Sequence, residues 1–428
     1  MVLAQIPDYD DLASRISALE KTKEDKTDTK KKFSVKVGGR VYLDTVNLSS
    51  PHTEWGNNVT SPNNVLGIRE ARLGVSGEGF EIFDYKAEFG LEYGSASSNV
   101  SPRLKDVYMG VKNLPVLDYV RVGHYKVESG LNYVNSSRNI TAMERITPVT
   151  FFSPGRRFGG GSTYYFAQDQ IRFFAGIFAA QKMDDIKYSN DDDNRNVIVN
   201  TRFTMVPYLA GEGTKYLHFG GHYLYYGNPK GKGNSFSYPN QAKVGGFART
   251  SGNWYEIAPS NVRDYHQGGL EMLWSNGQFS VQSEFFAGSF GKGRDMYGGY
   301  IEVRYFLTGD ARTYDKKTGT LGNIKMKKNL AAKVESSRSR HCDNNGYVIK
   351  SFGALETFFQ WGFTDTDRVY FNDAKSGGGR TTDIVTGLNW YWNPNTRMMF
   401  EYVHSDGTRQ NAFRGSEDIF GTSFRFFF

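Results

Sequence analysis

Cysteine is almost missing: Cys342 stands alone in 428 residues, which excludes an intramolecular disulfide and any cysteine-built metal cluster. Proline is scarce as well, at 12. No run approaches the roughly 18–20 consecutive apolar residues of a membrane-spanning helix, and mean hydropathy is only −0.54. The first residues lack the charged-then-apolar pattern of a secretory signal, so Met1-Val2-Leu3-Ala4-Gln5 reads as the scar of a cleaved or replaced one. No blade motif recurs at a fixed period, which argues against a propeller. The net charge of +7 suits anionic traffic or anionic lipid head groups, but the surplus is too small and too scattered for nucleic acid.

Aromatic and small residues are abundant, with 27 Tyr, 32 Phe and 48 Gly. With low mean hydropathy, this suits strands that have one lipid face and one wet face. On composition alone a large soluble all-β protein fits equally well. The end of the chain separates the two. In residues 418–428, Phe420, Thr422, Phe424, Phe426 and Phe428 share one parity, while Gly421, Ser423, Arg425 and Phe427 take the other. Such alternation marks a strand with unlike faces. Its apolar face needs a non-aqueous surface and its backbone needs a partner, and a closed barrel in a bilayer supplies both.

Alternating stretches of barrel-spanning length recur from Phe33 onward. They cover 33–48, 66–78, 82–93, 103–112, 118–126, 157–167, 170–180 and 196–206. They continue through 215–226, 263–275, 278–290, 295–307, 352–363, 381–392, 396–404 and 418–428, making about sixteen in all. Every second connection is short, as at Gln168-Asp169, Asn276-Gly277 and Asn393-Pro394-Asn395. Those between are mostly longer, notably 127–156, 227–262 and 405–417. Short turns on one side and long loops on the other is the outer-membrane pattern. Residues 308–351 break it, lying on the short-turn side yet long and basic.

The expected fold is therefore all-β: an antiparallel transmembrane β-barrel of about sixteen strands over residues 33–428, with a short N-terminal helix. Residues 1–32 form a separate periplasmic segment, in which Leu12, Ile16 and Leu19, with Tyr9 one step before, begin a heptad seam. A short trimeric coiled coil and a frayed amphipathic helix both fit so brief a seam. Residues 21–32 are a charged, solvated linker.

Parity turns Arg72, Lys86, Arg121, Arg172, Arg202, Arg304 and Arg425 toward the lumen, together with Glu88, Glu92, Glu271, Glu284, Glu302, Glu356 and Glu401. A large barrel with a charged inner face holds water, so the interior reads as a channel. Mixed signs alone do not make an anion filter.

An ordered set of motifs then resembles one family. It runs Arg69-Glu-Ala-Arg-Leu-Gly-Val-Ser-Gly77, Asp84-Tyr-Lys-Ala-Glu-Phe-Gly90, Leu104-Lys-Asp-Val-Tyr108 and Val120-Arg-Val-Gly-His-Tyr-Lys126. Met143-Glu-Arg145, Phe152-Ser-Pro-Gly-Arg-Arg157 and Tyr305-Phe-Leu-Thr-Gly-Asp-Ala-Arg312 follow. Taken together they resemble the phosphate-selective porin O/P family of bacterial outer membranes, and the terminal Phe428 resembles the C-terminal aromatic signature of such membranes' proteins.

The resemblance implies a homotrimer of barrels in the Gram-negative outer membrane, each barrel a water-filled, anion-preferring pore for small solutes such as phosphate or chloride. It implies a third loop folded inward, with Lys126, Arg138, Arg145, Arg156 and Arg157 as candidate constriction charges. A fifth loop would bring Lys230, Lys232, Lys243 and Arg249, and an inward periplasmic turn Arg312, Lys325, Lys327 and Lys328. The close-set arginine run of phosphate-selective members has no counterpart in the fifth-loop region, which favours general diffusion with a modest anion preference. Neutralising Arg138 and Arg145 is expected to lower that preference. The alternatives are a structural or adhesive barrel plugged by its own loops, and a barrel hydrolase.

No G-x-S-x-G supports the hydrolase, and no cofactor or metal is expected. His218 and His222 lie too far apart along one strand to chelate directly. Asp191-Asp192-Asp193 and the set Asp365, Asp367 and Asp373 read as solvated turns, and Gly231-Lys232-Gly233-Asn234-Ser235 as a flexible loop rather than a phosphate cradle.

Overall fold

The structure, a computed structural model, describes residues 14, 17, 33–49, 64–93, 100–180, 196–227, 240–243, 253–257, 264–336, 345–369, 378–409 and 413–428. Ser14 and Ser17 are helical and exposed, while the seam residues Tyr9, Leu12, Ile16 and Leu19 lie outside the described residues.

The strands begin β1 (Lys36–Ser49), β2 (Asn64–Gly79), β3 (Phe83–Tyr93), β4 (Val100–Lys112), β5 (Tyr119–Lys126), β6 (Arg156–Phe166), β7 (Ile171–Ala179) and β8 (Val197–Ala210). Next come β9 (Lys215–Gly227), β10 (Asn240–Lys243), β11 (Asn253–Ile257), β12 (Asp264–Asn276), β13 (Phe279–Ser289) and β14 (Asp295–Phe306). The last are β15 (Ala311–Asp315), β16 (Thr320–Lys325), β17 (Leu330–Ser336), β18 (Asn345–Phe352), β19 (Ala354–Asp365), β20 (Gly379–Asn393), β21 (Thr396–Arg409) and β22 (Phe413–Phe427).

Sixteen of these, β1–β9, β12–β14 and β19–β22, pair in chain order and close into one barrel. Closure joins β22 to β1 in antiparallel register, from Arg40 opposite Phe427 to Ser49 opposite Asp418. Every stretch read from alternation coincides with one of the sixteen. One expectation is corrected at their ends. Residues 405–409 and 413–417 are strand rather than loop, because β21 runs to Arg409 and β22 starts at Phe413. The alternation continues there in polar residues, so the apolar signal stops before the strand does. The connection 308–351 is not structureless either, since it builds the hairpins β15–β16 and β17–β18.

The two faces follow parity. On β22, Phe420, Phe426 and Phe428 are exposed outward, while Ser423 and Arg425 are buried inward. On β7, Phe173 and Ile177 face out and Arg172, Phe174 and Phe178 face in. The barrel strands pair their backbones within the sheet, and large apolar side chains such as Leu73, Phe173, Ile177 and Leu270 are exposed on the outer face. The tight turns use left-handed backbone, as at Gly277 (φ 67°) between β12 and β13, where glycine carries no Cβ penalty.

Two bulges interrupt the alternation where it matters. Pairing of β1 with β2 slips between Tyr42 and Leu43, so Arg69 and Glu70 share one place in the ladder. Pairing of β3 with β4 slips between Ala87 and Phe89, which gives Lys105 and Asp106 the same freedom. A bulge re-aims one extra side chain. Here both members of each neighbouring opposite-charge pair line the lumen.

The lumen is also partly filled. The β5–β6 loop folds inside, carrying short helices at Leu131–Val134 and Thr147–Phe151. Phe151 and Phe152 are fully buried, and Phe152 stacks on Phe286 of β13 at 5.4 Å. Ile257 of β11 joins the same apolar cluster, and β10 lies beside the Thr147–Phe151 helix. The β9–β12 connection therefore turns inward as well.

Candidate functional site

The β5–β6 loop is fastened to the wall formed by β13, β14 and β19–β22. Three of its backbone N–H groups donate to carboxylates there: Asn132 to Glu284 Oε1 (2.8 Å), Met143 to Glu401 Oε2 (2.7 Å) and Thr147 to Asp383 Oδ2 (3.3 Å). Thr141 Oγ1 donates to Glu302 Oε1 (3.1 Å). In return Arg397 donates to Ile140 O (3.0 Å), Arg425 to Met143 O (2.6 Å) and Asn389 to Thr141 O (2.9 Å). Gly130 has φ 106°, and a Cβ there would strike the Glu284 carboxylate. The loop's first helix can approach this wall only because residue 130 lacks a side chain.

The hairpin β15–β16 closes the arrangement from the turn side. Arg172 Nε donates to Lys317 O (3.0 Å), and Arg202 donates to Thr318 O (2.9 Å) and Gly319 O (2.8 Å). Asn139 of the loop donates to Leu321 O (3.1 Å). Arg312 pairs with Glu356 through both oxygens, at 2.9 and 2.8 Å, with both side chains buried. Arg312→Ala would leave that buried carboxylate without its ion-pair partner, held among the described residues only by Tyr391 Oη and Asn389 Nδ2, at a cost of about 3 kcal/mol. The expected result is a clearly lowered thermal midpoint in detergent, and an unchanged midpoint would show the pair to be dispensable.

What remains open is a cavity of about 700 Å³ on the opposite side, against β1–β7 and β22. Eleven Lys and Arg line it against five Asp and Glu, a surplus of six positive charges. Several cations are neutralised locally. Arg40 and Arg72 meet Glu88 (3.2 and 2.9 Å), Lys86 meets Asp106 (3.0 Å), Arg156 meets Asp106 (2.7 Å), and Arg172 grips Glu128 twice at 2.7 Å. Burial alone would raise the Glu128 carboxyl, but the guanidinium groups of Arg172 and Arg202 outweigh it and hold it below its ordinary range.

Four lining cations are satisfied differently. Lys126 Nζ donates to Tyr133 O (2.7 Å) and Asn135 O (2.8 Å), and Arg145 donates to Asn132 O (3.0 Å) and Asn135 O (2.7 Å). Arg121 lies over the rings of Tyr125 (4.6 Å), Tyr108 (4.8 Å) and Tyr119 (5.4 Å). Arg425 covers Tyr42 at 4.3 Å. Carbonyls and ring faces hold a cation in place without cancelling its charge. All four are cation-forming side chains that line the cavity, and among the described residues none has a carboxylate within ion-pair distance.

The other expected positions fall elsewhere. Arg157 is fully buried and does not line the cavity; its Nη1 donates to Arg156 O (3.1 Å). Arg138 lies outside the lining too, over the Phe427 ring at 4.8 Å with a bond to Asn395 Oδ1 (2.6 Å) near the short-turn end. Arg202 and Arg304 do face inward, but they are buried and paired with Glu271 (2.6 Å) and Glu302 (3.2 Å). Lys325 pairs with Glu212, and Lys327 and Lys328 are exposed. Lys230, Lys232 and Arg249 lie outside the described residues, and of Lys243 only the backbone, in β10, is described.

Parity counting missed Arg69 and Lys105, whose inward aim depends on the bulges. The signal available was two adjacent opposite charges, Arg69-Glu70 and Lys105-Asp106, in otherwise alternating stretches. His218 bonds Tyr314 Oη (2.7 Å) and Glu271 (3.2 Å), while His222 bonds Gln267 (3.1 Å). Asp365 and Asp367 both meet Arg380, at 3.1 and 2.6 Å, and Asp191-Asp192-Asp193, Asp373 and residues 231–235 lie outside the described residues.

Comparison with known proteins agrees with this geometry. The sequence profile of the family described as phosphate-selective porin O and P matches residues 35–428. Porin O of Pseudomonas aeruginosa is 24% identical over 418 residues, covering 91% of this chain and 87% of that protein. Among solved structures, the outer membrane channel DcaP of Acinetobacter baumannii superposes with a TM-score of 0.52 at 10% identity, over 93% of this chain and 98% of that one. OprB of Pseudomonas putida gives 0.52 at 8% identity, over 93% and 94%. The OmpF of Salmonella typhi gives 0.51 at 11% identity, over 92% and 97%.

Proposed function

This chain belongs to the phosphate-selective porin O and P family, and from that membership we propose that its outer-membrane channel prefers anions without being specific for phosphate. The channel itself, for small hydrophilic solutes across the Gram-negative outer membrane, follows from the family and the barrel. The anion preference rests on one observation: Arg121, Lys126, Arg145 and Arg425 face the cavity with carbonyl and aromatic partners instead of carboxylates. Basic groups held in this way favour a passing anion over a passing cation.

Three copies would assemble with separate pores, and residues 1–32 would hang beneath them as a periplasmic segment whose seam at Tyr9–Leu19 joins the copies. No catalysis is assigned to the barrel. Planar-bilayer recording across a potassium chloride gradient tests the reading. Conductance steps in groups of three with an anion-side reversal potential are expected, with phosphate only weakly blocking chloride current. A cation-side reversal would remove the anion assignment. Absence of steps from folded protein would favour a barrel plugged by its own loops, since the β5–β6 loop already fills one side of the lumen.

Arg145 and Arg138 separate lining from proximity. Arg145→Gln removes a cavity charge and should shift the reversal potential toward zero. Arg138→Gln, outside the lining, should leave it in place. Equal shifts in both variants would show that the cavity is not where selection happens.

A further inference from the structure

The inward loop carries a carboxylate of its own into the cavity. Glu144 meets Arg69 with both oxygens, Oε1 against Nε and Oε2 against Nη2, the latter at 3.0 Å. Arg69 reaches that point because the β2 bulge turns it inward beside Glu70. A guanidinium fork holding a carboxylate in this side-on manner presents the geometry it would offer any oxyanion with two available oxygens.

This pair differs from the two buried ion pairs that anchor the loop and the inward hairpin to the barrel wall. The Arg172–Glu128 side chains are 3% and 5% exposed and those of Arg312–Glu356 are 4% and 0%, whereas Arg69 and Glu144 are 25% and 13% exposed. A partly solvated pair is weakly held and exchanges its partners. Both residues line the cavity that solutes cross, and Glu144 is one of only five acids among its lining residues. An anchoring role needs no such exposure, because the loop is already fastened by the backbone bonds to Glu284, Glu401 and Asp383.

We infer that Arg69 is an oxyanion subsite on the solute path, filled in the resting pore by Glu144 acting as a tethered competitor. The ligand class is an oxyanion that can offer two oxygens to one guanidinium: phosphate, sulfate or a carboxylate. Chloride makes a single contact and displaces a forked carboxylate poorly, so it passes without emptying the subsite. Glu144 thereby weakens oxyanion retention and keeps the pore a general one. The inference rests on the anion-preferring reading and deepens it by assigning the residue that limits oxyanion binding.

The test is block of chloride current by added inorganic phosphate in planar bilayers, for the unaltered protein, Glu144→Gln, Arg69→Gln and the double variant. Glu144→Gln removes the competing negative charge, so half-block should need about two- to fivefold less phosphate. Arg69→Gln removes the fork and should raise the half-block concentration or abolish block, with the double variant resembling Arg69→Gln. A merely structural pair predicts shifts in the same direction for both single variants, because each would loosen the loop equally. Same-direction shifts, or none in Glu144→Gln, overturn the inference. The reversal potential read in the same recordings is independent: a cation-side value counts against the anion-preferring reading, while phosphate block still reports on Arg69.

Discussion

Replacing Arg121, Lys126 and Arg145 together by glutamine is expected to bring the reversal potential close to zero. Unit charges about 4 Å apart interact by about 1 kcal/mol even in water, a factor of roughly five in local ion concentration. All three face the same cavity, where a surplus of six charges is spread over a volume of about 700 Å³. Their substitution halves that formal surplus, and it removes basic groups held by carbonyls and aromatic rings and not by a direct ion pair. A comparable triple change at Arg202, Arg304 and Arg312 would remove as much charge from the chain but from buried ion pairs. That second triple should misfold or lose stability instead of altering selectivity. Measured reversal potentials for refolded protein decide the matter, and a first triple that stays fully anion-selective would sink the assignment of charge to function.

Releasing the inward loop should give the other large effect. Glu284, Asp383 and Glu401 each accept one of its backbone N–H groups inside the barrel. An unsatisfied buried donor costs about 1–3 kcal/mol, so changing all three acids to alanine exposes the loop to a penalty of several kcal/mol. The arginine and asparagine contacts to Ile140, Thr141 and Met143 would remain but could not hold the segment alone. The expected outcome is a severalfold larger single-channel conductance with frequent transitions between levels, from barrels that still resist unfolding in detergent. Steady steps of unchanged size would mean that the apolar packing of Phe151 and Phe152 fixes the loop without the acids.

The barrel was legible in the sequence because a strand between lipid and water imposes the simplest possible code. Ile171, Phe173, Ala175 and Ile177 against Arg172, Phe174 and Gly176 already show which side is which. The code fails wherever one position holds two residues, and Arg69 and Lys105 were overlooked for that reason. It also says nothing about depth. Arg202 and Arg304 face inward as read, yet the hairpin and the loop cover them, and no local pattern records how far a connection dips into the lumen. Arg157 and Arg138 sit on the correct segment but with side chains directed away from the cavity. Which acid accepts from which loop amide depends on contacts between residues more than a hundred positions apart, as for Asn132 and Glu284. Asp383, the third of these acids, escaped notice altogether.

The seam between β1 and β22 has a consequence for how the molecule comes to exist. Gly39 donates to Phe428 O at 3.0 Å and accepts from Phe428 N at 3.2 Å, so the last residue bonds to one of the first in the barrel. Without this pairing the sheet would keep two bare edges, and bare edges invite pairing with other chains. Every other barrel pairing joins strands linked by a single connection, and these need only local chain closure. The β1–β22 pairing joins the first and last strands of the barrel and bears the largest loop-closure entropy among them. It is therefore the non-local step of an otherwise local topology. A shift of one residue in that step would turn Phe420, Phe426 and Phe428 into the water and Arg425 into the lipid.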